Sequence, residues 1–313
     1  MKKNFFLYRI FFLFIIVVIN GCNKTTGISY LTSFDVSPDG KFIVYSFTND
    51  EHEADLYKAK IDGTNAHLLI REKNYSFFNP KFSADGTKIF FIGNNQKKKE
   101  SSIWEINEQT DTTKKIFEDV AFITEVISSK YDNILFYIKA NDYDSYSPIA
   151  PKAKHDFDIY SLKIDSLKSK KISSLNSYGL YDLGEVDENR LILSQRGTEN
   201  GIFFYDKKST KKTEKIVTIN DKLRNSTGYS KPVILKDGNI ICASYFQLVK
   251  INLITKLEKT ILPTSGYHFR SICYNEKSDR IFFTKRDDTN NIYSVNSNGE
   301  NLTEVTLSKE IKP

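Results

Sequence analysis

Beyond about residue 30, short apolar runs alternate with polar clusters rich in Asp, Asn and Gly, and the runs recur at a steady distance. Asp39-Gly40-Lys41 leads into Phe42-Ile43-Val44-Tyr45, and Asp85-Gly86-Thr87-Lys88 leads into Ile89-Phe90-Phe91. Looser copies follow at Asp132-Asn133-Ile134-Leu135-Phe136, Glu188-Asn189-Arg190-Leu191-Ile192, Asp237-Gly238-Asn239-Ile240-Ile241 and Ser278-Asp279-Arg280-Ile281-Phe282. With Ile43, Ile89, Ile134, Leu191, Ile240 and Ile281 taken as equivalent, the steps are 46, 45, 57, 49 and 41 residues. A second marker keeps step with the first: Asp55-Leu56-Tyr57, Ser102-Ile103-Trp104, Asp158-Ile159-Tyr160, Gly201-Ile202-Phe203, Gln247-Leu248-Val249 and Asn291-Ile292-Tyr293. Asp-Gly and Asn-Gly pairs tolerate positive φ, so between apolar runs they signal hairpins, and each unit reads as four antiparallel strands.

Six units of this length predict an all-β fold, a six-bladed β-propeller with four antiparallel strands per blade. Runs such as Ile89-Phe90-Phe91-Ile92 are apolar on both sides, as strands sandwiched between two neighbouring sheets require. No sustained 3.6-residue period supports a helical solenoid, and an immunoglobulin-like array needs about 100 residues per domain. The expected boundaries are a signal peptide over 1–21, a tether over 22–32 and the propeller over 33–308.

Ser37-Pro38-Asp39-Gly40-Lys41 with Asp55-Leu56-Tyr57, and Asn79-Pro80-Lys81-Phe82-Ser83-Ala84-Asp85-Gly86 with Ile103-Trp104, resemble the TolB-type propeller repeat. Blades one and two match that pattern well, and the other four keep its outline. The resemblance implies the propeller fold but no one function, because the same repeat serves envelope scaffolds, enzyme gates and binding modules. TolB carries an α/β domain before its propeller, whereas here the first blade begins about ten residues after Cys22. Peptidases gated by similar propellers add a hydrolase domain with a Gly-x-Ser-x-Gly elbow, and this sequence contains no such pentapeptide.

The N-terminus has its own pattern. Lys2-Lys3 precedes an unbroken apolar run, Ile10 to Ile19, which would rise about 15 Å as a helix, half of a bilayer core. That is the length of a signal-peptide core. Its end, Ile19-Asn20-Gly21-Cys22, resembles a bacterial lipobox, whose cysteine becomes the lipid-modified first residue of the mature chain. An ordinary secretory peptide or a short anchor is the plainer alternative. The lipobox reading makes Cys22 the lipid attachment site and places the protein in the bacterial cell envelope, on the outer membrane and facing the periplasm or the surface. Acyl chains contribute about 0.8 kcal/mol per buried methylene, so such a tether is effectively permanent.

Composition changes the picture little. The chain has 45 Lys plus Arg against 39 Asp plus Glu, a formal charge of +6, and loss of Lys2, Lys3 and Arg9 leaves 42 against 39. That near balance excludes a general footprint for nucleic acid. Cys242 and Cys273 lie in apolar runs and read either as two separate buried thiols or as a bridge between neighbouring sheets. His52, His67, His155 and His268 show no metal-ligand spacing, so neither a metal nor another cofactor is expected.

Loops on a rigid scaffold are where chemistry concentrates. The connections from strand four to the next strand one, and from strand two to strand three, share one face around the channel. Aromatic residues recur there: Tyr30, Phe78, Phe122, Tyr181, Tyr229, and Tyr267 with His268. They would either line a binding funnel or wedge between blades. Asn141 to Asp156 is an unusually long connection in blade three, in which Tyr143 and Tyr146 would form a lip, or which is a tolerated surface insertion. Its Asp142 and Asp144 lack the spacing of a calcium loop. The expected activity is non-catalytic binding of an envelope protein, peptide or glycan by a monomeric propeller. The alternative is a carbohydrate-active lyase or hydrolase acting at the channel mouth.

Overall fold

A computed structural model describes residues 30–48, 53–120, 122–145, 149, 151–197, 199–209, 213–218, 228–244, 247–263, 268–286 and 288–309. Every regular element among them is a strand. Blade one is β1 to β4 (Leu31–Val36, Phe42–Thr48, Ala54–Lys60, His67–Ile70), and blade two is β5 to β8 (Tyr75–Phe82, Lys88–Asn95, Glu100–Asn107, Thr112–Asp119). Blade three is β9 to β12 (Ile123–Ser128, Ile134–Asp144, Ala153–Lys163, Lys168–Lys171), and blade four is β13 to β16 (Gly179–Glu185, Arg190–Arg196, Gly201–Asp206, Thr213–Lys215). Blade five is β17 to β20 (Tyr229–Ile234, Ile240–Ser244, Gln247–Ile251, Glu258–Leu262), and blade six is β21 to β24 (Phe269–Asn275, Arg280–Lys285, Asn291–Asn296, Thr303–Thr306). Each blade is one antiparallel sheet of four consecutive strands, so the six-bladed propeller expected from the repeat is the fold observed.

The two-sided apolar runs follow from the strand period of two. In β2, Ile43 and Tyr45 pack into the core shared with blade six, while Val44 between them packs into the core shared with blade two. In β6, Ile89 and Phe91 face blade one, and Phe90 and Ile92 face blade three. Six such cores, one at each junction, close the ring.

Both sequence markers meet in the middle of each sheet. The register pairs Tyr45 with Tyr57, Phe91 with Trp104, Tyr137 with Tyr160, Leu193 with Phe203, Cys242 with Val249 and Phe283 with Tyr293. Where both partners are aromatic their rings stack, at centroid distances of 5.6, 6.3, 5.3 and 5.6 Å for blades one, two, three and six. Each aromatic pair contributes about 0.5–1.5 kcal/mol beyond its buried area.

The acidic member of the second marker anchors the outer part of a blade. Asp158 is 0% exposed, accepts bonds from Ser173 Oγ (2.7 Å) and Leu175 N (2.6 Å), and pairs with Lys171 at 2.6 Å. Asp55 is held by Arg71 in the same way. The turn aspartates cap their own hairpins, as when Asp85 accepts the Thr87 amide at 3.0 Å.

Among the described residues, blades six and one meet without strand exchange. Cys273, Phe282, Ile292 and Leu307 join the blade-one core, Leu31 N donates to Thr289 O (2.6 Å), Tyr45 Oη donates to Ser308 O (2.8 Å) and Asn275 Nδ2 donates to Ser37 O (2.9 Å). Cys242 and Cys273 are free thiols buried in two different junctions, which realises the separate-thiol alternative. Burial pushes both thiols well up, so neither is a ready nucleophile.

Candidate functional site

All six inner strands break register at the same level. The extra residue is Thr32 in β1, Thr124 in β9 and Arg270 in β21. In β5, β13 and β17 the irregularity spans Asn79-Pro80, Asp182-Leu183 and Lys231-Pro232. Asn79, Asp182 and Lys231 take positive φ there, at 49°, 57° and 57°. Asparagine and aspartate tolerate that region, but lysine adopts it at a cost of about 1–2 kcal/mol. Bulges redirect a side chain and cluster beside functional sites, and here they turn polar groups toward the axis.

The result is a charged channel of about 380 Å³, lined among others by Asn79, Lys81, Glu125, Asp182, Lys231 and Arg270. Its charges alternate and tie the blades together. Asp35 accepts the Phe82 amide (3.0 Å) and lies 3.4 Å from Lys81 Nζ. Asn79 Nδ2 donates to Thr124 O at 2.6 Å. Asp182 accepts the Lys231 amide (3.0 Å) and lies 3.3 Å from Lys231 Nζ. Arg270 donates to Leu31 O at 2.6 Å, bridging blade six to blade one.

Glu125 also accepts an amide of the next blade, that of Asp182 at 3.5 Å, but its titration is shifted. Burial, and then the charge of Asp182, push its carboxyl up to about 7, against the pull of Lys81 and Lys231. Toward the opposite end, Glu185 accepts Ser129 Oγ (2.8 Å) and the Lys130 amide (2.6 Å) and pairs with Lys207 at 2.5 Å, another link between blades three and four.

At the face carrying the between-blade connections, a second cavity of about 300 Å³ is lined by Arg196, Ser230, Lys231, Ala243, His268, Phe269, Arg270 and Arg286. Lys231 and Arg270 line both cavities, so this mouth opens onto the channel. Arg196 lies over the Tyr181 ring (5.6 Å) and Arg270 over the Tyr30 ring (4.9 Å).

The residues anticipated from sequence fall in several places. His268 lines the mouth, and Tyr181 and Tyr30 (37% exposed) flank it beneath their arginines. Phe78 packs into the core between blades two and three, and Tyr229 is 5% exposed in the core between blades four and five, with its hydroxyl against Thr218 Oγ1 (2.9 Å). Phe122 packs against the core of blades three and four and touches Tyr143 (5.7 Å), with Lys154 Nζ 3.6 Å above its ring. Cys22, Tyr146 and Tyr267 lie outside the described residues.

The long connection of blade three is shorter than its sequence suggested, because the ladder continues through Asp142–His155, Tyr143–Lys154 and Asp144–Ala153. Tyr143 remains 49% exposed on this extended hairpin. The pairing brings Asp142, His155 and Asp156 together, with ligand-type atoms within 4.8 Å of one another, a juxtaposition that no local spacing announces. His155 Nδ1 lies 3.4 Å from Asp156 Oδ2.

Sequence reasoning missed the channel and mouth charges. The usable signal was the polar residue interrupting each first strand, which becomes visible only when Thr32, Asn79, Thr124, Asp182, Lys231 and Arg270 are aligned across the repeat.

No family model and no curated protein matches the chain. Among solved structures it is similar to TolB from Acinetobacter baumannii, at 14% identity and a TM-score of 0.67 over 88% of this chain. The chain spans 65% of that TolB chain. An oligogalacturonate lyase in complex with manganese is 11% identical, with a TM-score of 0.59 over 91% of this chain and 79% of the lyase. The β-propeller domain of the Trilobed protease from Pyrococcus furiosus, described as having an open velcro topology, is 16% identical, with a TM-score of 0.54 over 92% of this chain and 98% of the domain. At these identities the likeness establishes a TolB-like six-bladed propeller and nothing about activity.

Proposed function

We propose that this chain is a bacterial cell-envelope lipoprotein, tethered through lipid on Cys22, whose propeller is a non-catalytic scaffold binding an envelope protein, peptide or glycan at the channel mouth. The observation that carries this reading is that acidic groups in and beside the channel bind the next blade: Asp182, which lines it, and Asp35, against the lining Lys81, each accept a backbone amide of that blade and pair with a lysine. Carboxylates so engaged hold a scaffold together and are poorly placed to exchange protons with a substrate. The lipobox-like end of the apolar N-terminal run supports the tether, and the likeness to TolB suits an envelope setting.

The test is crosslinking in intact cells from a photoreactive residue at position 178, an exposed tyrosine against Gly197 and so beside the mouth, with the captured neighbours identified, beside fractionation of Cys22→Ser. A specific envelope partner, and release of the variant from the membrane fraction, are expected. Absence of any specific neighbour would refute the scaffold, and a variant that stays in the membrane would refute the lipid tether.

Glu125 favours one second reading, a carbohydrate-active lyase or hydrolase. A carboxyl that titrates near 7 can serve as a general acid or base at neutral pH. Under this reading a glycan screen finds turnover that Glu125→Gln abolishes, and a screen without turnover discards it.

A further inference from the structure

We propose that the mouth over blades four to six binds the oxyanion of a ligand, a carboxylate or a phosphate group, between Arg196, Arg270 and Arg286. This deepens the scaffold reading by naming the chemistry that the mouth would recognise. Three guanidiniums, the Lys231 ammonium and His268 line one cavity of about 300 Å³, and no carboxylate lines it among the described residues. The ion pairs of the described residues include Lys231 with Asp182 but none for Arg196, Arg270 or Arg286. Cations gathered around a concave space repel one another, and an anion entering it relieves that repulsion.

Two of the three guanidiniums, those of Arg196 and Arg270, are also held in place. Arg270 donates to Leu31 O (2.6 Å) and Arg286 O (3.2 Å) and lies over Tyr30, while Arg196 lies over Tyr181. A planar fork fixed in this way loses little freedom on taking up two oxygens, which is why arginine suits carboxylate and phosphate groups. Deeper in the channel Asp182 and Glu125 present acidic groups, so the anion stops at the mouth and the rest of the ligand points outward or rests on the flanking tyrosines.

The experiment uses the protein as cells process it, extracted in an uncharged detergent and titrated calorimetrically with inorganic phosphate and separately with citrate. Binding by either probe that weakens with added salt is expected, and the tighter one identifies the source as phosphate or carboxylate. Arg196→Gln combined with Arg286→Gln should weaken it by about tenfold or more, because each removes a charge-assisted pair. Both side chains are exposed, so the double variant should keep its fold, as circular dichroism can verify. Lys168→Gln with Lys170→Gln, on the exposed outer strand β12, should leave binding unchanged. Failure of both probes to bind, binding that survives in the double arginine variant, or an equal loss in the lysine control would each overturn the proposal. A partner captured in cells despite such a failure would leave the scaffold standing without its anion site.

Discussion

At the scale of single residues, Glu125 is where burial and charge conflict most openly. Its carboxyl is pushed from an ordinary value of 4.5 up to about 7 by burial and by Asp182, with Lys81 and Lys231 pulling the other way. Between those two values the folded chain holds a proton that the unfolded chain has released, so linkage makes stability fall as pH rises. The contribution is fully present below the unfolded value and is lost as pH passes through about 7. Glu125→Gln keeps the shape and cannot ionise. Thermal denaturation between about pH 5 and 8 should therefore show wild type losing stability relative to the variant. Parallel curves would show that Glu125 is ionised throughout and satisfied by its lysines. Gly93 in β6 gives a second, steric case. A methyl group there would lie 2.6 Å from Trp104 Nε1 and 2.9 Å from a Phe77 ring carbon, so Gly93→Ala should cost about 1–3 kcal/mol in chemical denaturation. A loss below about 0.5 kcal/mol would mean that the Trp104 ring can shift aside at little cost.

At the scale of elements, the turns between strands three and four reach across blade junctions. Gly63, at φ 82°, would bring a Cβ to 2.8 Å from the Thr306 carbonyl oxygen, and Gly299, at φ 96°, would bring one to 2.3 Å from the Ile261 carbonyl oxygen. Each turn thus packs on the outer strand of the preceding blade, with a glycine where backbone meets backbone. Gly63→Ala adds left-handed strain to a backbone clash and should cost at least about 2 kcal/mol, measured by urea denaturation. A neutral result would mean that β24 moves away freely. These elements also show what the sequence made legible. Asp-Gly turns and paired apolar runs are local signals, so the number of blades and the aromatic pairs of β2 with β3 could be read directly. The inner-strand bulges could not, because an extra residue is defined only against its partner strand. The basic mouth was hidden for a related reason: Arg196 comes from blade four, Arg270 from β21 and Arg286 from just after β22 in blade six, and near-balanced total charge conceals their convergence. Tyr229 and Phe78 take the wedge alternative, because an aromatic beside a turn serves a junction as well as a funnel.

At the scale of the whole molecule, a ring differs from an open stack of repeats in having no terminal face. In an open array stability is a sum over neighbouring interfaces and the ends fray. Here the sixth interface, between blades six and one, spares two apolar faces from water, yet among the described residues it is made without strand exchange. Its core includes Leu307, fully buried beside Tyr45, Phe282 and Ile292, with the Leu307 amide bonded to Asn290 O at 2.9 Å. Leu307→Ala leaves a cavity worth about 2–5 kcal/mol at that junction. The chain has one tryptophan, Trp104, and it lies in the core between blades one and two, away from Leu307. If the closed ring unfolds as one unit, Trp104 fluorescence and far-ultraviolet circular dichroism should shift to lower denaturant together in Leu307→Ala, with unchanged slope. If the closure can open alone, circular dichroism should show an early partial loss while Trp104 reports an unaltered midpoint. The first outcome is expected, because opening one junction exposes two blade faces at once while leaving the polar bridges along the channel, from Asp35 to Phe82 and from Asp182 to Lys231, to hold an incomplete ring.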